Sequence, residues 1–123
     1  MKTDRKLGYE VRKYLIKKGV ETPIVNVKLT NDEKIDLISD NMKTIIEVLG
    51  LDTTDDSIKD TALRVGQMYV DELCLGMDYN RFPKCTVFEN KMGYNQMVLQ
   101  KDITFHSLCE HHFVNFHGLA QVA

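Results

Sequence analysis

No stretch of this 123-residue chain approaches the roughly 18 consecutive apolar residues of a membrane-spanning helix, so no membrane partner is expected. The N-terminus lacks an apolar core behind Lys2, Arg5 and Lys6, which argues against a secretory signal and predicts a cytoplasmic protein. Cysteine is sparse. Three residues, Cys74, Cys85 and Cys109, make an odd set that does not suit a disulfide framework. Cys74 and Cys85 sit in apolar stretches and read as small core residues. There is no excess of either charge, with 16 basic against 18 acidic residues, so no nucleic-acid partner is expected. The first 18 residues are locally basic and read as a solvated helix face. Internal repeats and low-complexity segments are also missing. What remains, 43% hydrophobic and 28% charged residues, is a soluble globular composition of one-domain length.

The first part of the chain carries helical spacing. Leu7, Val11, Tyr14 and Leu15 predict a helix over residues 3–18, stopped by Gly19. Glu21 to Val25 should run extended, because the residue before Pro23 avoids the helical region. Thr30 and Glu33 fit a capping box, and Ile35, Ile38, Met42, Ile45, Ile46 and Leu49 recur as a core-facing stripe before Gly50. A loop of Asp and Thr residues, Asp52 to Asp56, leads to a third helix expected from about Ser57 to Leu75. Its stripe is Ile58, Ala62, Val65, Met68, Tyr69 and Leu73.

After Pro83 the spacing changes. Lys84–Glu89 and Met97–Thr104 read as strands, separated by a turn over Asn90–Asn95 that contains Gly93. Phe113–Phe116 and Leu119–Ala123 read as two arms around Gly118. Helices followed by antiparallel strands make an α+β fold. The organisation expected is a helix and extended arm over 1–30, a helical region over 31–76 and the start of a sheet over 77–123, one domain overall. The last residues, Gln121-Val122-Ala123, stop inside an apolar strand-like run, a hint of an incomplete chain.

The chemistry concentrates in Cys109-Glu110-His111-His112. A Cys-x-x-His pair lets a thiolate and an imidazole reach one metal from a tight turn, and zinc accepts this sulfur and nitrogen mixture. Zinc held by three protein ligands keeps a fourth position for water and lowers that water's pKa toward neutrality. His111, between the two candidate ligands, is free to act as a general acid or base. Spacing alone leaves two alternatives open. One is a buried cysteine with two ordinary histidines at a strand end. The other is a small structural zinc module completed by His106 and His117.

Longer strings narrow the choice. Asp60-Thr61-Ala62-Leu63-Arg64-Val65-Gly66-Gln67-Met68-Tyr69-Val70-Asp71-Glu72-Leu73, Gly76-Met77-Asp78-Tyr79, Phe82-Pro83, Phe88-Glu89-Asn90, Met97-Val98, Asp102-Ile103-Thr104, Ser107 and Cys109-Glu110-His111-His112-Phe113-Val114 together resemble the GTP cyclohydrolase I family. Glu21-Thr22-Pro23 resembles the short N-terminal arm of its bacterial members. The resemblance implies an enzyme that opens the guanine ring of GTP hydrolytically, releases formate and forms dihydroneopterin triphosphate, a precursor of folate that also feeds deazaguanine synthesis. It implies a tunnelling fold (T-fold), Zn2+ as cofactor, GTP as partner and a homo-oligomer, the family's decamer. By position, Cys109 and His112 are zinc ligands and His111 is the acid/base group. Arg64 faces the triphosphate, a task that suits a guanidinium's paired hydrogen bonds.

The chain departs from the family in three respects. Ala62 stands where proline is usual, a change a helix tolerates. Gln67 stands where a lysine is frequent, which removes a charge near the phosphates. The family's third zinc ligand, a cysteine in a later segment, has no counterpart here, nor has its guanine-binding carboxylate. The competing expectation is therefore a catalytically incompetent truncated relative that acts as an assembly or binding partner.

Overall fold

The computed structural model describes residues 2–123. It contains helices α1 (Arg5–Lys18), α2 (Asn31–Val48) and α3 (Thr61–Gln67), then strands β1 (Gln100–Leu108) and β2 (Asn115–Val122). The chain divides into two compact units, the first ending at Pro83 and the second spanning Lys84–Ala123. Helices then antiparallel strands is the expected α+β arrangement. Among the described residues no helix is long and apolar enough to cross a membrane.

Local signals set the helix ends. The Asp4 side chain accepts the Leu7 amide, and α1 stops where Gly19 adopts a left-handed φ of 68°, a conformation that suits glycine. Thr30 and Glu33 form the expected capping box at α2: the Thr30 hydroxyl accepts the Glu33 amide, and the Glu33 carboxylate accepts the Thr30 amide at 2.7 Å. Those bonds hold the Glu33 carboxyl below its ordinary value, the backbone amide of Thr30 contributing most.

Close approaches at two glycines organise the first unit. Gly66 of α3 lies on α2, so near that a Cβ there would stand 2.5 Å from Ser39 Oγ and 2.8 Å from the Ile35 carbonyl oxygen. Gly8 of α1 similarly meets Tyr79 and Phe82. Three further contacts tie α1 to the end of the unit. The Asp4 amide donates to the Phe82 carbonyl at 2.8 Å. Arg5 donates to the Asn80 side chain. The Arg12 guanidinium lies 5.6 Å from the Tyr79 ring centroid and pairs with Glu21 at 2.6 Å.

Several expectations need correction. The third helix begins at Thr61 rather than Ser57, because Asp52 and Asp55 spend their carboxylates on tight turns, accepting the amides of Thr54 and Ser57. It also changes character, passing into a π-helical stretch over Met68–Leu73. The α2 stripe is only partly covered: Ile46 is buried and Ile35, Ile38 and Met42 are half-buried, while Ile45 and Leu49 face solvent. Cys85 is exposed rather than in a core; Cys74 is half-buried, and that burial raises its thiol pKa.

In the second unit Lys84–Glu89 forms no strand, and Val87 and Phe88 are almost fully exposed. Extended chain needs a partner ladder, and this segment joins neither open edge of the β1–β2 pair. The turn over Asn90–Asn95 is present, with Gly93 at φ 63° and the Asn90 side chain bonded to the main chain of Tyr94. The first strand lies later than expected, and its register shifts between Gln100 and Ile103, where Asp102 takes a left-handed φ of 56°. The two arms around Gly118 are one continuous strand. Gly118 pairs with Phe105, whose ring reaches within 2.8 Å of where a Cβ would be. Glycine here makes room for an aromatic ring rather than a turn. Phe105 also meets Phe116 edge-on, with ring centroids 6.3 Å apart.

Candidate functional site

The hairpin between β1 and β2 places the Cys-x-x-His string in its connection. The Cys109 amide donates to the Val114 carbonyl and the Phe113 amide donates to the Cys109 carbonyl, both at 2.9 Å. The second bond closes a single helical turn over Cys109–Phe113, and Phe113 ends it with a left-handed φ of 55°. For a bulky side chain that conformation is uncommon, and it persists where surrounding bonds enforce it.

Helical geometry explains what the turn does. Residues three apart share a face of a helical turn, whereas residues two apart do not. Cys109 and His112 accordingly meet, with Sγ and Nδ1 3.4 Å apart. His111 is exposed and, two positions from Cys109, falls on another face. Cys109 is half-buried and His112 exposed. Zinc–sulfur and zinc–nitrogen bonds of about 2.3 and 2.0–2.1 Å at a tetrahedral angle separate the two donors by about 3.5 Å. The Cys109–His112 spacing fits that requirement for two donors.

A third donor is a different matter. Among the described residues no group of three or more His, Cys, Asp or Glu is placed to hold a metal. His106 and His117 pair with each other across the hairpin, ring centroids 6.1 Å apart, and do not complete a cluster with Cys109 and His112. The structural zinc module expected as an alternative is therefore not assembled. Arg64 belongs to the other compact unit; it is exposed on α3, its amide bonded to the Asp60 carbonyl at 3.1 Å.

The comparisons with known proteins bear on this site directly. The family model for GTP cyclohydrolase I matches residues 38–123, a segment that holds Arg64 and the entire Cys109–Val114 connection. The chain belongs to the GTP cyclohydrolase I family. Its relatives include proteins named GTP cyclohydrolase 1 from Aeromonas salmonicida (strain A449), 49% identical over 92% of this chain, and from Haemophilus ducreyi (strain 35000HP / ATCC 700724), 47% identical over 93%. A third, from Shewanella amazonensis (strain ATCC BAA-1098 / SB2B), is 46% identical over 93%. The matched region is 52%, 53% and 52% of the Aeromonas, Shewanella and Haemophilus proteins, so the chain spans about half the length of these GTP cyclohydrolase I relatives.

Sequence reasoning passed over the groups that shape the connection. Val114 supplies the carbonyl that closes it and Phe113 the left-handed residue that ends it. Neither announces itself by type, since β-branched and aromatic residues are ordinary strand formers.

Proposed function

We propose that this chain carries part of the active site of a GTP cyclohydrolase I, acting in zinc-dependent hydrolytic opening of the guanine ring of GTP with formation of dihydroneopterin triphosphate. The observation that carries the reading is the 3.4 Å approach of Cys109 Sγ to His112 Nδ1 within a segment matched by the family model. In this reading Cys109 and His112 are two zinc ligands, and the third donor comes from outside residues 2–123. A zinc ion held by that pair and a third donor would supply Lewis acidity to a bound water.

The chain's own residues have distinct tasks. His111, exposed beside the pair but on another face of the turn, delivers and removes protons at the purine ring. Arg64, exposed on α3, offers a planar fork of N–H donors to triphosphate oxygens. The bonds from Cys109 and Phe113 to Val114 and Cys109 keep the two ligands on one side of the turn. Large exposed apolar side chains, Val87, Phe88 and Met92 among them, support a homo-oligomer in which further protein covers them.

A second reading is favoured by the two-donor cluster: a catalytically incompetent relative that acts through assembly or binding. A chimera separates the two. The chain, joined to the remaining half of the Aeromonas salmonicida relative and supplied with zinc and GTP, should yield fluorescent neopterin after oxidation and dephosphorylation, and His111→Ala should remove it. The 123 residues alone should yield little or none. A folded, zinc-loaded chimera that opens no ring would favour the second reading.

A further inference from the structure

The hairpin carries a second close pair of side chains of a metal-ligating type. His106 and His117 are direct register partners on β1 and β2, and their rings lie side by side with centroids 6.1 Å apart and planes 40° from parallel. Both are exposed, so a cation has open access and both side chains have room to turn. Side chains alternate between faces along a strand, so Thr104, Leu108, Asn115 and Leu119 share their face. None of these four carries a charge, so these same-face neighbours neither repel a cation nor offer the carboxylate oxygens calcium and magnesium prefer. Neither histidine belongs to the strings that carry the family resemblance, and the pair is separate from Cys109 and His112.

We propose that His106 and His117 form a cross-strand bis-imidazole site for a divalent transition-metal ion of the nickel, copper or zinc type. Imidazole suits these ions, and water fills the remaining positions. Two imidazoles on one ion at 90–110° place their ring centroids about 4.5–5.2 Å apart, so closing the site asks about 1 Å of approach from two exposed rings. The consequence is mechanical. The pair lies two ladder positions from the mouth of the Cys109–Val114 connection, beyond Ser107 with Phe116 and Leu108 with Asn115. A bound ion ties β1 to β2 there and steadies the stem that carries Cys109 and His112.

Nickel is the suitable probe, because copper oxidises thiols. In a Cys109→Ser/His112→Ala background, calorimetry with Ni2+ should show one ion per chain. His106→Thr and His117→Thr, which keep strand propensity, should each weaken binding at least about tenfold, since losing one arm removes the chelate advantage. Unchanged binding in either variant overturns the proposal, as does loss of all Ni2+ binding in the Cys109→Ser/His112→Ala background. Should a Thr variant not fold, the unsubstituted chain still decides. Ni2+ should protect His106 and His117 together from diethyl pyrocarbonate, read by mass spectrometry, while His111 stays reactive. Continued modification of either residue at saturating Ni2+ also overturns it.

Discussion

Cys109 Sγ lies 3.4 Å from His112 Nδ1 because one helical turn, closed by the Phe113 amide on the Cys109 carbonyl, brings positions three apart onto one side. The contact is thus a property of the connection's backbone as much as of the two residue types. It puts the two neighbouring histidines on different faces of the turn, His112 against Cys109 and His111 away from it.

That division is measurable. His112→Ala should weaken zinc binding by roughly tenfold or more, because a thiolate alone holds the ion poorly. His111→Ala should leave zinc binding within about twofold, since its ring falls on another face of the turn. Equilibrium titration against a chromophoric chelator reads both. Equal losses in the two variants would contradict the geometry.

The contact between α3 and α2 depends on the absence of a side chain at position 66. Gly66→Ala gains about 1 kcal/mol of helix propensity, yet its methyl group meets Ser39 Oγ and the Ile35 carbonyl. Overpacking usually costs about 1–3 kcal/mol, so after the propensity gain the net expectation is a loss of up to about 2 kcal/mol. Gly76→Ala is the control, because nothing stands within 4 Å of its Cβ position. Urea denaturation of both should show a lowered midpoint for position 66 only.

Acid should loosen the start of α2. The Glu33 carboxyl is held below its ordinary 4.5 by the Thr30 amide and hydroxyl. A carboxylate with a depressed folded value stabilises fully above 4.5, and the contribution fades as pH falls through the lower folded value. Glu33→Gln should therefore flatten the fall in stability below pH 4.5, while Asp52 and Asp55, also depressed by their turn bonds, keep part of it. Thr30→Ala removes the hydroxyl half of the box and should cost about 1 kcal/mol at neutral pH. Thermal melts followed by circular dichroism across this range test the pair.

Much of the architecture was readable from residue order because its signals are local. Thr30 and Glu33 specify a helix start three residues apart, Gly19 a helix stop, and Cys109 and His112 a shared face of one turn. The misreadings came from choices made at a distance. Gly118 looked like a turn, but its role depends on Phe105 lying opposite, a matter of register between two strands. Lys84–Glu89 has strand-forming residues, yet it joins no ladder with β1 or β2. The third helix was expected from about Ser57 but starts at Thr61, because Asp55 accepts the Ser57 amide in a tight turn that residue type alone does not announce.

The central claim is that Cys109 and His112 are zinc ligands, and zinc-edge X-ray absorption on the chain carrying His106→Thr and His117→Thr, loaded with one equivalent of Zn2+, tests it most directly. The account predicts one sulfur at about 2.3 Å with nitrogen and oxygen at about 2.0–2.1 Å, and loss of that sulfur in Cys109→Ser but not in Cys74→Ser or Cys85→Ser. A sulfur shell that survives Cys109→Ser, or a shell without sulfur while Cys109 is present in that background, would contradict it.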